Sequence, residues 1–249
     1  LIRLPLAILR YQMMKEKFVG GKGFGLWYLW NATSPTTKWD DPENEIIIAG
    51  GPACGVTQYA GTGKSLVCSI SPLTDIPIDS NVGGYFGPLL KFSGWDALEI
   101  QGKSDKDIIV FIDGNNGRVT IEEAPFEAVD GHVLGEQLTE MYADNEGDKR
   151  NVAVVTAGTG AEHSRMGLLN FTFYDPRRKT IRLKQAGRGG IGTVFRNKKI
   201  KALIVKFSNV KGDLNNPFDS SIINKTGIKY HKEIHDLDHL QNNMRKVGT

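Results

Sequence analysis

The chain has 249 residues, 40% of them hydrophobic, and its 31 Lys and Arg against 28 Asp and Glu give a formal net charge of +3 at pH 7. So small an excess argues against a nucleic-acid-binding protein, which usually carries a strongly basic surface. Apolar runs such as Ile46–Ile48 are far shorter than the roughly 20 residues that span a bilayer, so we expect no membrane span. Cys54 and Cys68 are too few for a disulfide framework and form no C-x-x-C pair, so we expect buried thiols in a cytoplasmic protein.

The elements predicted in chain order begin at Glu45, because residues 1–14 are apolar without a clear period. Short runs rich in Ile, Val and Leu predict strands, and apolar spacing of three and four predicts a helix over Val133–Tyr142. The segment 113–117 (DGNNG) predicts a hairpin turn, since Asn and Gly accept positive φ. The predicted strands are Glu45–Ala49, Ser65–Ile70, Ala97–Gln101, Ile108–Asp113, Val119–Glu123, Asn151–Thr156, Leu168–Tyr174 and Lys201–Phe207.

Strands with interspersed single helices predict an α+β domain over residues 1–207. The polar segment Ser208–Asn224 looks like a connection, and Tyr230–Val247 has an apolar stripe at helical spacing. A lone terminal helix offers that stripe no partner. We therefore expect residues 208–249 to be a linker and the first helix of a second, helical domain, and the natural chain to extend beyond both ends of this sequence.

Glycine is over-represented, with 29 residues against a usual share of about 7%, and it falls in clusters. Gly61–Ser65 (GTGKS) resembles a phosphate loop, but the loop's first glycine is replaced by Gln58 and the segment leads into a predicted strand. We therefore exclude a nucleotide P-loop. Lys64 is left as a cation on a glycine turn, suited to an anionic group or simply solvated.

The segment Gly187–Gly192 (GRGGIG) matches the dinucleotide-binding fingerprint literally, but only about two turns of helix fit before the next strand. We expect a glycine loop that enters a short helix whose free N–H groups can hold an anion, with Arg188 adding a bidentate contact. The alternative is a tight turn with a surface arginine.

Two further glycine turns carry polar candidates. Asn81 in Ser80–Gly87 (SNVGGYFG) can serve a phosphate or a hard cation such as Mg²⁺, or it can cap a helix. Lys22 in Gly20–Gly25 belongs to either a site or the surface. His231, His235 and His239 have ligand-like spacing, but their acidic neighbours favour a solvated helix face.

In order along the chain, these segments resemble the N-terminal domain of the tungsten-containing aldehyde ferredoxin oxidoreductase family. The resemblance runs from about Phe18 to Lys206. The segments that carry it are Phe18–Gly25 (FVGGKGFG), Glu43–Pro52 (ENEIIIAGGP), Ser71–Thr74 (SPLT), Asn81–Gly87 (NVGGYFG), Leu90–Ala97 (LKFSGWDA), Gly102–Lys103, Gly158–Glu162 (GTGAE), Ala186–Gly192 (AGRGGIG) and Lys198–Ala202 (KKIKA).

The resemblance implies a platform under a tungsten (or molybdenum) bis-pterin cofactor, with Mg²⁺ bridging the two pterin phosphates. It implies Asn81 and Gln185 at the Mg²⁺, a 4Fe–4S cluster from parts outside this sequence, and ferredoxin or an iron–sulfur subunit as electron partner in a homo- or hetero-oligomer. No catalytic residue is carried over to this chain. The implied cofactor-binding positions are Lys64, Asn81, Gly83, Gly84, Lys184, Gln185, Ala186, Gly187, Arg188 and Gly189.

The sequence departs from the family's pattern in three places. The family usually has Arg where Lys64 stands, Arg-Ala where Lys184-Gln185 stands, and AVMGSKN where residues 193–199 read TVFRNKK. The implied activity is oxidation of aldehydes or reduction of carboxylates. The alternatives are a subunit of the benzoyl-CoA-reductase type and a non-catalytic module that binds a phosphorylated ligand or is purely structural.

Overall fold

The computed structural model describes residues 8–59, 61–125, 127, 130–208 and 218–248. Two helices, α1 (Ile8–Phe18) and α2 (Lys22–Ala32), precede the first strand. The sequence prediction missed both. The second helix reads KGFGLWYLWNA, with apolar residues on nearly every side, so its sequence shows no helical period.

A four-stranded antiparallel sheet comes next, with strand order β3-β2-β1-β4. The edge strand β3 was missed because its PIDSNV sequence contains residues that are rare in strands. A seven-residue helix, α3 (Phe86–Phe92), follows it. The strands are β1 (Ile46–Gly50), β2 (Ser65–Ile70), β3 (Pro77–Val82) and β4 (Ala97–Ile100).

A six-stranded mixed sheet has the order β6-β5-β10-β7-β8-β9, in which only β5 and β10 run parallel. The predicted hairpin between β5 and β6 is confirmed. The edge strand β9 was missed because charged residues interrupt its alternation. The elements are β5 (Ile108–Asp113), β6 (Arg118–Glu123), α4 (Gly131–Tyr142), β7 (Val152–Thr156), β8 (Leu169–Asp175), β9 (Thr180–Ala186), α5 (Ile191–Asn197) and β10 (Ile200–Lys206).

The main core contains one face of each sheet together with α3 and α5, and residues such as Val67 and Phe171 are fully buried in it. The opposite face of the four-stranded sheet is covered by α2, and that of the six-stranded sheet by α4. We call the faces toward the main core inner and the other two outer. The predicted α+β class is thus confirmed, as a sheet-rich domain with helices on its faces.

The last described part of the chain is helical, as predicted, but with other bounds. Helix α6 (Ser220–Gln241) begins ten residues before the predicted start, because Asp219 accepts hydrogen bonds from the first N–H groups. It ends before Asn243, which has φ 50°, and α7 (Met244–Val247) follows. Most of the predicted apolar stripe is exposed, and Leu240 is 70% accessible. No helix of the described chain is long and apolar enough to cross a membrane.

Candidate functional site

The edge strands β3 and β9 of the two sheets lie next to each other, and the predicted glycine loops meet at this junction. The N–H of Arg188 donates to Ser80 Oγ at 3.2 Å. The position that a Cβ atom would take at Gly83 lies 3.6 Å from Cγ of Lys184. Loops from different sheets, about a hundred residues apart in sequence, are therefore in direct contact.

Two glycines at this junction allow the close approach. Gly189 has φ +76°, and a Cβ there would lie 2.5 Å from Cγ1 of Ile78. Gly84 has φ +98°, and its Cβ position lies 3.4 Å from the carbonyl oxygen of Thr172 on β8. Neither position accepts a side chain without strain or displacement of β3.

The Gly61–Lys64 turn is the third loop at the junction. A Cβ at Gly63 would lie 3.9 Å from the Gly84 carbonyl oxygen. A backbone hydrogen bond holds this turn against the preceding segment, since the Gly55 N–H donates to the Thr62 carbonyl at 3.0 Å. It continues directly into β2, not into a helix, so the exclusion of a P-loop is confirmed.

Three cations lie at this junction, Lys64 and Arg188 on its glycine loops and Lys184 on β9. Lys64, Lys184 and Arg188 are exposed, and none of them has a carboxylate partner within the described part of the chain. The ammonium of Lys184 lies 6.0 Å from the ring centre of Phe173, an arrangement that a cation tolerates without a counter-ion. Three exposed cations without carboxylate partners, at a junction of glycine loops, fit a polyanionic ligand.

The predicted metal pair is not brought together through its side chains. Successive side chains of a strand alternate between faces. Because Ser80 contacts Arg188, the side chain of Asn81 points to the other face, the face of Asp79, which pairs with Lys22 of α2 at 2.5 Å. The side chain of Gln185 lies on the outer face of its sheet, with Nε2 3.5 Å from Asn170 Oδ1.

Both metal candidates nevertheless lie on edge strands, which leave one row of backbone groups without a strand partner. A backbone carbonyl oxygen in such a row is a ligand that a hard cation accepts. Ser80 and Ile78 join the candidate site through the contacts described above. The sequence reading did not single them out, and their only signal was their position beside Asn81.

The structure corrects one sequence expectation about the loops and answers the question left open for Lys22. The start of α5 was expected to have free N–H groups, but the Gly192 N–H donates to the Gly167 carbonyl at 2.9 Å. The Thr193 N–H donates to the Gly190 carbonyl at 3.0 Å. The glycine segment at Gly20–Gly25 is a turn followed by α2, and its Lys22 is engaged by Asp79, whose hydrogen bond raises the pKa of that lysine. Anion binding is thus left to Lys64, Lys184 and Arg188.

The remaining candidates have ordinary structural roles. Cys54 and Cys68 are buried as predicted, and burial raises the pKa of the thiols to about 11 and about 12. His231, His235 and His239 are exposed on α6, as the solvated-face interpretation predicts. Among the described residues there is no cluster of three or more His, Cys, Asp or Glu side chains that could hold a metal.

The family profile described as "Aldehyde ferredoxin oxidoreductase, N-terminal domain" matches residues 7–207. The chain belongs to the aldehyde ferredoxin oxidoreductase family. It is 34% identical over 192 residues to the tungsten-containing aldehyde ferredoxin oxidoreductase of Pyrococcus horikoshii, a match that covers 77% of this chain and 29% of the relative. It is 30% identical over 206 residues to the aliphatic sulfonate oxidoreductase, WOR-like subunit, of Pyrococcus furiosus. That match covers 78% of this chain and 31% of the relative.

Among solved structures, the family resemblance extends to the active site complex BamBC of benzoyl coenzyme A reductase in complex with 1,5-dienoyl-CoA. The TM-score is 0.66 at 27% identity, over 79% of this chain and 28% of that one. The chain thus spans less than a third of the length of each of these three proteins. The described junction of β3 and β9 lies wholly within the matched domain.

Proposed function

We propose that this chain is the cofactor platform of a tungsten (or molybdenum) bis-pterin oxidoreductase that interconverts aldehydes and carboxylates. The observation that carries the proposal is the junction of β3 and β9, where three glycine loops meet. Lys64 and Arg188 on two of these loops, and Lys184 on β9, are exposed there without carboxylate partners in the described part of the chain. The relatives are named as tungsten-containing enzymes, and the three cations suit a phosphorylated ligand. A tungsten-pterin cofactor with phosphate groups meets both conditions.

Each group at the junction has a definite task in this proposal. Arg188 presents a planar guanidinium that can bind two phosphate oxygens at once, whereas Lys64 and Lys184 act as point charges. Gly83, Gly84, Gln185, Ala186, Gly187 and Gly189 supply backbone that the cofactor can approach closely. A Mg²⁺ ion between the phosphates would be held by the backbone carbonyl oxygens of Asn81 and Gln185.

The cofactor, when bound, supplies the two-electron exchange with the substrate, and the protein supplies binding, orientation and electrostatics. Within this division the described chain neutralises the phosphates and fixes the cofactor against the junction of the two sheets. A 4Fe–4S cluster would come from parts of the protein outside this sequence. The electrons would pass to or from ferredoxin or an iron–sulfur subunit, in an oligomer working in an anaerobic cytoplasm.

A second candidate is a catalytic subunit of the benzoyl-CoA-reductase type, which the 0.66 TM-score to the BamBC complex supports. The platform would be the same and the substrate would be an aromatic acyl thioester. Assays of the full-length protein with aldehydes and ferredoxin, against assays with aryl-CoA thioesters, distinguish the two.

The platform itself is tested by metal analysis of the full-length protein purified without oxygen. We expect stoichiometric tungsten or molybdenum with pterin in the wild type and strongly reduced metal in Arg188→Ala. The matched control is Arg177→Ala, which removes an exposed arginine from the turn at the other end of β9 and should leave the metal content unchanged. Wild-type protein without metal or pterin would favour the non-catalytic module, and full retention in Arg188→Ala would remove Arg188 from the site.

A further inference from the structure

Arg196, at the end of α5, is a buried cation outside the junction of β3 and β9. The residue is 3% exposed, and its Nε donates to Glu162 Oε1 at 3.0 Å. Its Nη2 lies 3.2 Å from both carboxylate oxygens of Asp107, and its Nη1 donates to the Ile200 carbonyl at 3.0 Å. A charge that is buried so completely needs such partners, because removal of either the arginine or a carboxylate leaves an unpaired buried charge and lowers the stability of the fold.

These contacts tie together segments that are distant in sequence. Glu162 ends a short 3₁₀ turn that starts at Thr159, Asp107 directly precedes β5, and Ile200 begins β10. The family motif has glycine at the position of Arg196, so this ion cluster is a departure of the present chain from the motif. The proposed cofactor platform makes no use of it.

The segment after Glu162 leads from this cluster to the Arg188 loop. Thr193 Oγ1 of α5 donates to the Ser164 carbonyl at 2.6 Å and accepts the Gly167 N–H at 3.0 Å. The Arg165 carbonyl oxygen lies 2.1 Å from the position that a Cβ would take at Gly190. The segment 163–168 is thus pressed against the first turn of α5 and against the glycine that closes the Arg188 loop.

We propose that Arg196 is a positioning residue for the loop 187–190. By bonding Glu162 it holds the segment 163–168 against α5, and this contact in turn fixes the backbone that carries Arg188 at the edge of β3. The inference rests on the proposed function for the identity of the ligand, but the ordering of the loop by Arg196 does not depend on that ligand.

The test compares Arg196→Met with Lys206→Met in the full-length protein. Lys206 ends the same strand that Arg196 bonds at its start, and it is likewise a largely buried cation with two carboxylates, Asp144 at 2.9 Å and Asp148 at 3.1 Å. Both variants should lose comparable stability. Backbone hydrogen exchange over residues 187–193 is measured in metal-free protein, and tungsten or molybdenum content in protein expressed with metal, both well below the unfolding temperature.

We expect exchange over 187–193 to accelerate at least about tenfold in Arg196→Met and to stay unchanged in Lys206→Met. Metal content should fall below about half only in Arg196→Met, and Arg196→Lys, which keeps a cation, should restore part of it. The positioning role would be overturned if Arg196→Met and Lys206→Met had equal hydrogen-exchange rates over residues 187–193 and equal metal content. If Arg196→Met does not fold, Glu162→Leu removes the acceptor of the same link at a partly exposed position and must give the same pattern.

Metal-free wild-type protein would contradict the proposed function alone. The exchange comparison would still decide whether Arg196 orders the Arg188 loop. The two proposals can therefore fail independently.

Discussion

The cations at the two ends of the six-stranded sheet differ in their burial and in their carboxylate partners. At the end of β10, Lys206 is largely buried and bonds Asp144 and Asp148. At the opposite end, Lys184 and Arg188 are exposed without a carboxylate. Cations of the first kind stabilise the fold, because removal of one leaves a buried charge behind. Cations of the second kind contribute little to folding, and their use must be sought in binding.

The largest effect is expected from Lys206→Met. The variant leaves the 9%-exposed side chain of Asp148 without its cation, and we expect a loss of about 3 kcal/mol in the free energy of unfolding, measured with urea. Lys184→Met, at the other end of the sheet, should change the unfolding free energy by less than about 0.5 kcal/mol. Equal losses in both variants would break the comparison.

The next largest change in the free energy of unfolding is expected at Gly189, where the backbone of the Arg188 loop contacts β3. In Gly189→Ala the new Cβ meets Ile78 in a left-handed conformation, and we expect destabilisation by about 2 kcal/mol. The control is Gly187→Ala two residues away, where nothing lies within 4 Å of the Cβ position, so the free energy should change by less than about 0.5 kcal/mol. A tolerated Gly189→Ala would mean that the loop does not press on β3.

The smallest effect is the pH dependence of the unfolding free energy that comes from Asp148, beside Lys206. Burial acts to raise the pKa of Asp148, but hydrogen bonds from Asn151, the Asp144 backbone and Lys206 outweigh it and lower the pKa from 3.8 to about 2. Since the carboxylate is favoured in the folded state, its contribution is present above pH 3.8 and is lost as the pH falls through about 2.

Urea unfolding of the wild type and of Asp148→Asn over this range checks that dependence. The advantage of the wild type over the variant should shrink as the pH falls from about 4 to 2. A constant difference between pH 5 and 2 would contradict the assigned hydrogen bonds.

Apolar strands were predictable from the sequence, whereas the two edge strands at the site were not. Ser65–Ile70 and Ile108–Asp113 were placed at their observed bounds, because buried runs of Ile, Val and Leu leave a clear signal. Strands β3 and β9 contain polar and charged residues at half or more of their positions, so the apolar alternation that indicates a strand is weak there. Helix α2 shows the opposite problem, since it is apolar nearly all round.

The site was predictable as a set of loops but not as a geometry. Glycine clusters with Lys64 and Arg188 allowed an anion or plain surface cations from the residues alone, and only the resemblance to the family favoured the anion. The contact between Ser80 and the Arg188 N–H depends on two sheets meeting, which no local pattern encodes. For the same reason the sequence could not show that the side chains of Asn81 and Gln185 diverge, or that Arg196 is buried among carboxylates.

The decisive measurement is a structure of the full-length protein with its metal bound. We expect pterin phosphate oxygens within hydrogen-bonding distance of Arg188 and Lys64, at the junction of β3 and β9. A cofactor bound elsewhere, with Lys64, Lys184 and Arg188 remaining in solvent, would contradict the proposed platform.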